Sequence, residues 1–374
     1  MTVDQVLTRG VEQVLPSREG LKKLMESRKI SLYQGFDPST PSLHIGHMIG
    51  VRKLAQFQKL GHEVIFLIGD FTGMIGDPTD KTAARQKLTH EQALKNLKGY
   101  KDQVKNIIDF GGKNPVKILF NYDWLSKLTF EDVIELTSHF TVQQMIERDF
   151  YQERLKQNKP IYLHEFLYPL MQAYDSVEMD VDLEVGGNDQ MFNLLTGRTL
   201  MKAYKNKEKF CLTTKLLTDS SGAKMGKTTG NTVNLTDTPE DVFGKIMSLS
   251  DSLLTLGFEL LTDMDLPKTE PMIAKKTLAF EVVKQIHNEA AAKNAQKDFA
   301  TTFQKKTPAF DQPITGKGTL AATITPLVGS SSQAKRLIDQ KAVDLNGQTT
   351  TTFDQKVKKG DQIKVGKKIF VTVL

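Results

Sequence analysis

Two rhythms of apolar residues run through the 374-residue chain. Ser31–Phe36, His62–Ile68, Val116–Phe120 and Asp180–Val185 are short runs rich in β-branched and aromatic residues, or alternating, and they predict strands. Met48 to Leu60 carries apolar residues at three- and four-residue spacing, stops at Gly61 and predicts a helix. Strand, helix and strand over residues 31–68 make a βαβ unit, which predicts a parallel, Rossmann-type sheet of the α/β class. Residues 1–30, with Val11, Val14 and Leu15 and then Leu21, Leu24 and Met25, predict a helical lead-in. Thr89-x-x-Gln92 and Thr129-x-x-Asp132 read as capping boxes, each opening a helix. With a further helix from Thr141 to about Asn158, residues 100–160 read as a largely helical insertion in the sheet.

Leu163 to Val177 predicts another helix, with Pro169 suiting a first turn and so placing Tyr168 near its start. Residues 236–303 are helical in pattern, and Thr307–Gly318, with Pro308 and Pro313, reads as a linker. Beyond it come a short basic helix (Gln333–Lys341), a hairpin signal at Asn346-Gly347 and a second hairpin over Ile363–Val371. The expected organisation is a catalytic domain over 1–235, an α-helical domain over 236–306, a linker over 307–318 and a small α+β domain over 319–374.

Composition narrows the class. The length suits two or three domains, and 39% hydrophobic with 25% charged residues is ordinary for a globular protein. No apolar run approaches the roughly 20 residues of a membrane span, and the N-terminus lacks a signal-peptide layout. One cysteine, Cys211, rules out an internal disulfide framework and fits a reducing, cytoplasmic setting. The net charge is +6, and residues 330–374 hold nine Lys and Arg against four Asp, so the basic excess sits at the C-terminal end. That favours a nucleic-acid partner for the small domain.

The candidate chemistry gathers at strand ends. After Ser31–Phe36 comes Asp37-Pro-Ser39-Thr-Pro-Ser-Leu-His44-Ile-Gly46-His47, a turn leading into a helix start, where free N–H groups and the helix dipole favour an anion. His44 and His47 lie one turn apart on one side of that helix and can donate to phosphate oxygens. Taken alone, they are equally read as surface or metal-binding histidines. After His62–Ile68 comes a Gly-rich loop through Asp77, followed by Lys81 and Arg85 at i, i+4 spacing; a solvated basic face is the bland reading of that pair. Tyr168, Gln172 and Asp175 recur at i, i+4, i+7 and could line a polar pocket, or could be one core tyrosine with exposed neighbours. Gly186-Gly-Asn-Asp189-Gln190 is a third glycine-containing strand end, the edge where open α/β sheets bind ligands. Ser220–Asn231 is a lysine loop in which Lys224 and Lys227 flank Met225 and Gly226.

His44-Ile-Gly-His47 resembles the signature of class I aminoacyl-tRNA synthetases, and Lys224-Met-Gly-Lys-Thr228 resembles their second signature, with Gly226 and Thr228 substituted. Tyr33-x-Gly-Phe-Asp-Pro resembles the tyrosyl branch, and the C-terminal module is similar to S4 RNA-binding domains. The likeness to bacterial-type tyrosyl-tRNA synthetases is collinear over essentially the whole chain. It implies that Tyr33 and Asp175 meet the phenol of L-tyrosine, that Tyr168, Gln172 and Asp77 meet its amine, and that Gln190 lies near its carboxylate. It implies ATP contacts at Asp37, Ser39, Gly46, His44, His47, Asp189 and Met225, and pyrophosphate contacts at Lys81, Arg85, Lys224 and Lys227. The partners it implies are L-tyrosine, ATP with Mg²⁺ on its phosphates, tRNA(Tyr) and a second copy of the chain in a homodimer formed through the insertion.

Two other readings compete. A nucleotidyl transferase acting on a different small acid would explain the phosphate loops but not the basic tail; within the synthetases, an indole would not call for the Tyr33–Asp175 pair. A non-catalytic RNA-binding protein on the same scaffold would have no need to keep both histidines and both loop lysines.

Overall fold

Ser31–Phe36 (β2) forms as its pattern predicts and lies near the middle of a six-stranded sheet. The computed structural model describes residues 1–77, 88–218, 232–304, 310, 312–366 and 369–374. They divide into two units, Met1–Lys293 and Asn294–Leu374.

In the first unit the strands are β1 (Val11–Leu15), β2, β3 (Glu63–Ile68), β4 (Lys117–Phe120), β5 (Leu183–Gly187) and β6 (Phe210–Thr214), in the order β1-β6-β5-β2-β3-β4. All neighbouring pairs are parallel except β1 with β6. The sheet is therefore the expected α/β type with one antiparallel edge. From β2 the chain builds β3 and β4 to one side, then returns to lay β5 and β6 on the other. The crevice between β2 and β5 is thus the switch point, at whose carboxyl edge such sheets bind ligands.

Residues 1–30 differ from the helical expectation. Two helices, Val3–Thr8 and Arg18–Ser27, flank β1, whose Val11 is the one fully buried position of the strand. Val11, Val14 and Leu15 fit a helical spacing by coincidence, and pairing with β6 overrides it. Both capping boxes form, at Thr89–Gln92 and Thr129–Asp132. The helix expected over 141–158 is broken into Val142–Ile146 and Asp149–Lys156. The helix bearing Tyr168 begins at Leu163 and runs to Glu178, so Pro169 lies inside it rather than in its first turn. Glu165 Oε1 accepts from the Tyr162 N–H at 2.9 Å and closes the real start. Helices Pro239–Met247, Leu254–Leu261 and Pro271–Ile286 complete this unit. No helix of the described residues is long and apolar enough to cross a membrane.

The second unit has its own core of Leu320, Ile324, Ile338, Val343, Ile363 and Val371, among others. Its sheet runs β7 (Gln312–Ile314), β11 (Ile369–Val373), β10 (Gln362–Val365), β8 (Val343–Leu345) and β9 (Gln348–Thr349). Asn346 and Gly347 both take positive φ, 50° and 81°, as the two-residue turn between β8 and β9 requires. Two helices, Leu320–Val328 and Ser331–Asp339, pack on this sheet. β7 falls inside the stretch read as linker; its Pro313 sits at the sheet edge, where no ladder N–H is needed.

Candidate active site

The two histidines are built by the start of the helix Ile45–Lys59. His44 is the N-cap residue, and its Nδ1 accepts from the Gly46 N–H at 3.1 Å. His47 Nδ1 accepts from the His44 N–H at 3.1 Å, so each imidazole satisfies a helix-end donor. The rings stack with centroids 3.9 Å apart. An acceptor at Nδ1 places the ring hydrogen of a neutral imidazole on Nε2, so both side chains carry Nε2 donors. Glycine at 46 is obligatory for this stack, because a Cβ there would lie 2.9 Å from His44 Cε1.

Lys224, Met225 and Lys227 lie outside the described residues, as do Lys81 and Arg85. The backbone on either side is informative. Directly after the lysine loop, Val233 C=O accepts from Ile45 N–H at 2.9 Å and Leu235 N–H donates to Leu43 C=O at 2.8 Å. The exit of that loop is therefore pinned beside the histidine motif. The segment bearing Lys81 and Arg85 departs from Asp77, whose Oδ2 accepts from Gln190 Nε2 at 2.6 Å.

Asp37 directly follows β2 and is crowded by the end of β3. Thr72 Oγ1 donates to its Oδ1 at 2.7 Å and the Tyr168 hydroxyl to its Oδ2 at 2.9 Å. Only glycine fits at 69, since a Cβ there would come within 1.9 Å of Asp37 Oδ1. The Asp37 carboxyl is pushed up to about 7: burial raises it most, the two donors hold it down, and Asp77 and Asp70 add to the rise. Ser39 lies two residues on, its N–H donating to the Asp37 C=O at 2.8 Å. Asp189 follows β5 in the short helical turn Asn188–Gln190, and Gly187 makes room for its carboxylate.

Asp175 is 2% exposed and accepts two hydrogen bonds, from Trp124 Nε1 at 2.7 Å and Asn121 Nδ2 at 3.1 Å. Burial drives its carboxyl well above the usual carboxylate range, partly opposed by those donors. Tyr33, fully buried, does not bond Asp175; its hydroxyl lies 2.8 Å from Ser176 Oγ and donates toward Gln172 C=O at 3.3 Å. Gln172 Nε2 donates to Glu184 Oε1 at 2.9 Å, and Gln172 Oε1 accepts from Asn193 Nδ2 at 2.9 Å. Asn193 Nδ2 also donates to Gln190 Oε1 at 2.8 Å. The described candidates thus belong to connected groups around the β2–β5 crevice.

Asn121, Trp124, Thr72, Ser176, Glu184, Asn193 and Lys209 complete these groups and were not found from the sequence. Trp124, the chain's one tryptophan, offered the weakest of signals. Glu184 and Lys209 sit charged inside or beside apolar strand runs, a violation that marks a buried pair. On the opposite face of β2, the Gln34 amide lies over Gly50, where a Cβ would come within 2.2 Å of it. Gln34 Oε1 is buried there with no donor among the described residues.

The profile of the tRNA synthetases class I (W and Y) matches residues 25–304. The chain belongs to this class I tRNA synthetase family. Among its relatives is the tyrosine–tRNA ligase of Haemophilus influenzae, 41% identical over 100% of this chain and 96% of that protein. The tyrosine–tRNA ligase of Aquifex aeolicus is 39% identical over 99% of this chain and 98% of its own. Among solved structures, a C-terminally truncated mitochondrial tyrosyl-tRNA synthetase of Coccidioides posadasii superposes with a TM-score of 0.65 at 26% identity, over 79% of this chain and 91% of that one. The Archaeoglobus fulgidus tyrosyl-tRNA synthetase crystallised with L-tyrosine has a TM-score of 0.61 at 22% identity, over 79% of this chain and 100% of that one, a likeness of fold.

Proposed function

We propose that the chain is a tyrosine–tRNA ligase: it activates L-tyrosine with ATP to tyrosyl-adenylate and pyrophosphate, then transfers tyrosine to the 3′ end of tRNA(Tyr). The observation that carries the reading is the buried Asp175, held by Trp124 and Asn121 at the same sheet edge that carries two Nε2 donors on His44 and His47. A carboxyl held in place by two donors selects a substrate hydroxyl, and a site built to hydrogen-bond that hydroxyl can reject the analogue lacking it by about 10⁴–10⁵-fold.

Activation is an in-line attack of the tyrosine carboxylate on the α-phosphorus of ATP. It needs positioning and charge stabilisation rather than a protein nucleophile. In this reading Tyr33 and Asp175 take the phenol end, and Tyr168, Gln172 and Asp77 the amine, with Gln190 next to the carboxylate. Asp37, Ser39, Gly46, Asp189 and Met225 hold ATP, while His44, His47, Lys81, Arg85, Lys224 and Lys227 meet the phosphates as charge develops. Magnesium carried on the ATP phosphates would neutralise part of that charge. Among the described residues no cluster of three or more His, Cys, Asp or Glu forms a cage of its own for the ion.

The domain roles follow. Residues 1–235 do the chemistry, with 100–160 as the insertion, and 236–306 form the α-helical anticodon-binding-like part. Residues 307–318, which include β7 of the small sheet, lead into 319–374, an S4-like RNA-binding module whose lysines give salt-dependent phosphate contacts. Exposed Phe130, Ile134, Val142 and Leu155 on the insertion, with Leu163 beyond it, present an apolar surface that suits a homodimer contact. A cytoplasmic setting agrees with this role in translation. ATP–pyrophosphate exchange measured with each amino acid in turn tests the assignment: exchange with tyrosine alone is expected, and exchange with another acid or with none overturns it.

A further inference from the structure

Lys209 and Glu184 form an ion pair at 0% and 1% side-chain exposure, directly behind the crevice just described. Lys209 Nζ donates to Glu184 Oε2 and, at 3.0 Å, to Ser176 Oγ. The helix Met191–Lys205 opens space for the pair at Gly197, where a Cβ would lie 2.3 Å from Lys209 Nζ. Burying both ions costs solvation that their attraction rarely exceeds, and apolar residues of the same volume usually serve stability as well. Their bonds lead instead to the pocket. On the Ser176 side lies Tyr33; on the Glu184 side lies Gln172, which continues through Asn193 and Gln190 to Asp77.

We propose that Lys209 and Glu184 are positioning residues for amino-acid selection: together they fix the orientation and hydrogen-bond polarity of Tyr33 and Gln172. The proposal rests on the tyrosine-activating reading above. An ammonium only donates, so Ser176 Oγ must accept from Lys209 and send its own hydrogen elsewhere. The near acceptor is the Tyr33 oxygen at 2.8 Å; Glu184 Oε2 is at 3.5 Å. The Tyr33 hydrogen then goes to an acceptor, Gln172 C=O at 3.3 Å or the Glu184 carboxylate that also faces the phenol. Tyr33 is left with a lone pair, so it meets the substrate hydroxyl as an acceptor. Glu184 accepts from Gln172 Nε2 and thereby fixes which way round that amide stands, its Oε1 directed to the Asn193 donor. One pair thus sets both ends of the pocket.

The test is the double variant Glu184→Gln/Lys209→Met, which removes both charges at nearly constant volume, alongside Ser176→Ala, which cuts the link to Tyr33 and leaves the ion pair intact. In ATP–pyrophosphate exchange the folded double variant is expected to raise the tyrosine KM by about 10-fold and to lower the preference for tyrosine over phenylalanine by a similar factor. The ATP KM should stay within about 2-fold, since the pair faces the amino acid. Ser176→Ala should lower the tyrosine-over-phenylalanine preference, and it decides the matter if the double variant does not fold. Unchanged tyrosine KM and unchanged preference in the folded variants would make the pair purely structural and overturn the proposal. A wild-type chain with no tyrosine-dependent exchange would overturn the underlying reading instead.

Discussion

Asn121 donates from one amide nitrogen to Asp175 Oδ2 and to Thr72 Oγ1, each at 3.1 Å. Thr72 in turn donates to Asp37. The carboxylate assigned to the phenol and the one assigned to ATP therefore share a support that runs beneath the carboxyl edge of β2 and β3. Removing a donor from one carboxylate disturbs the placement of the other.

The first consequence concerns Trp124. Trp124→Phe keeps a ring against the cluster of Tyr33, Ile65, Leu67 and Val181 but removes the 2.7 Å donor to Asp175. A hydrogen bond of this kind contributes about 1 kcal/mol, and losing it also frees the carboxyl to turn, so the tyrosine KM in exchange should rise by roughly 5- to 10-fold. Asp175→Ala, which removes the acceptor itself, should abolish tyrosine selectivity or activation. Unchanged tyrosine-dependent exchange in either variant would remove Asp175 from the phenol site.

Asp37 gives a pH signature. Burial raises its carboxyl to about 7, against about 4 in the unfolded chain. The folded state therefore holds a proton that the unfolded chain releases between pH 4 and 7. Wild type must lose stability relative to Asp37→Asn as pH rises through that window, with no further change above it. Urea unfolding of both proteins at pH 5 and pH 8 should show the variant's relative stability growing; an equal gap at both values would mean the carboxyl is ionised throughout. Tyr168→Phe removes a donor that holds this group down, so the window should then extend to higher pH.

What the sequence made legible was the local backbone. β2, β3 and β4, both capping boxes and the Asn346-Gly347 turn depend on neighbouring residues and formed nearly where their patterns placed them. β1 and β6 escaped notice because their pairing joins residues about 200 positions apart, and five-residue runs carry little period of their own. The same holds within the site. Tyr168, Gln172 and Asp175 could be seen because one helix lines them up. Asn121, Ser176 and Lys209 come from three different parts of the chain and meet only through the fold, and so do the contacts of the Tyr33 hydroxyl with Ser176 and the Gln172 carbonyl.

The histidine stack makes Gly46 a sensitive position. Gly46→Ala adds a methyl 2.9 Å from His44 Cε1, in a helix first turn whose backbone otherwise accepts alanine. The ring must move, and the cost falls on catalysis more than on folding. Losing one preorganised donor to developing charge typically lowers kcat by about 10²–10³-fold. Exchange kinetics should show that loss with a melting temperature close to wild type. A variant with full activity would mean that the stacked geometry does not hold the transition state.

The C-terminal unit supplies the last test. Its core of Leu320, Ile338, Ile363 and Val371 is formed within Asn294–Leu374, so a chain ending at Gln304 should keep the first unit folded. Tyrosine-dependent exchange should stay within about 2-fold of wild type, because no residue assigned to the chemistry lies beyond 227. Charging of tRNA should weaken by an order of magnitude or more, since the excess of Lys and Arg over Asp in residues 330–374 is removed with its phosphate contacts. The salt dependence of charging should flatten in the truncated chain, because fewer counterions are released on binding. Full-length charging is thus expected to fall steeply between 50 and 200 mM salt, on the order of 10³-fold if about six phosphates are contacted. If the truncated chain charges tRNA as well as the full chain at about 150 mM salt, the tail is not the RNA-binding module, and the recognition of tRNA must lie in the helices between Pro239 and Ile286.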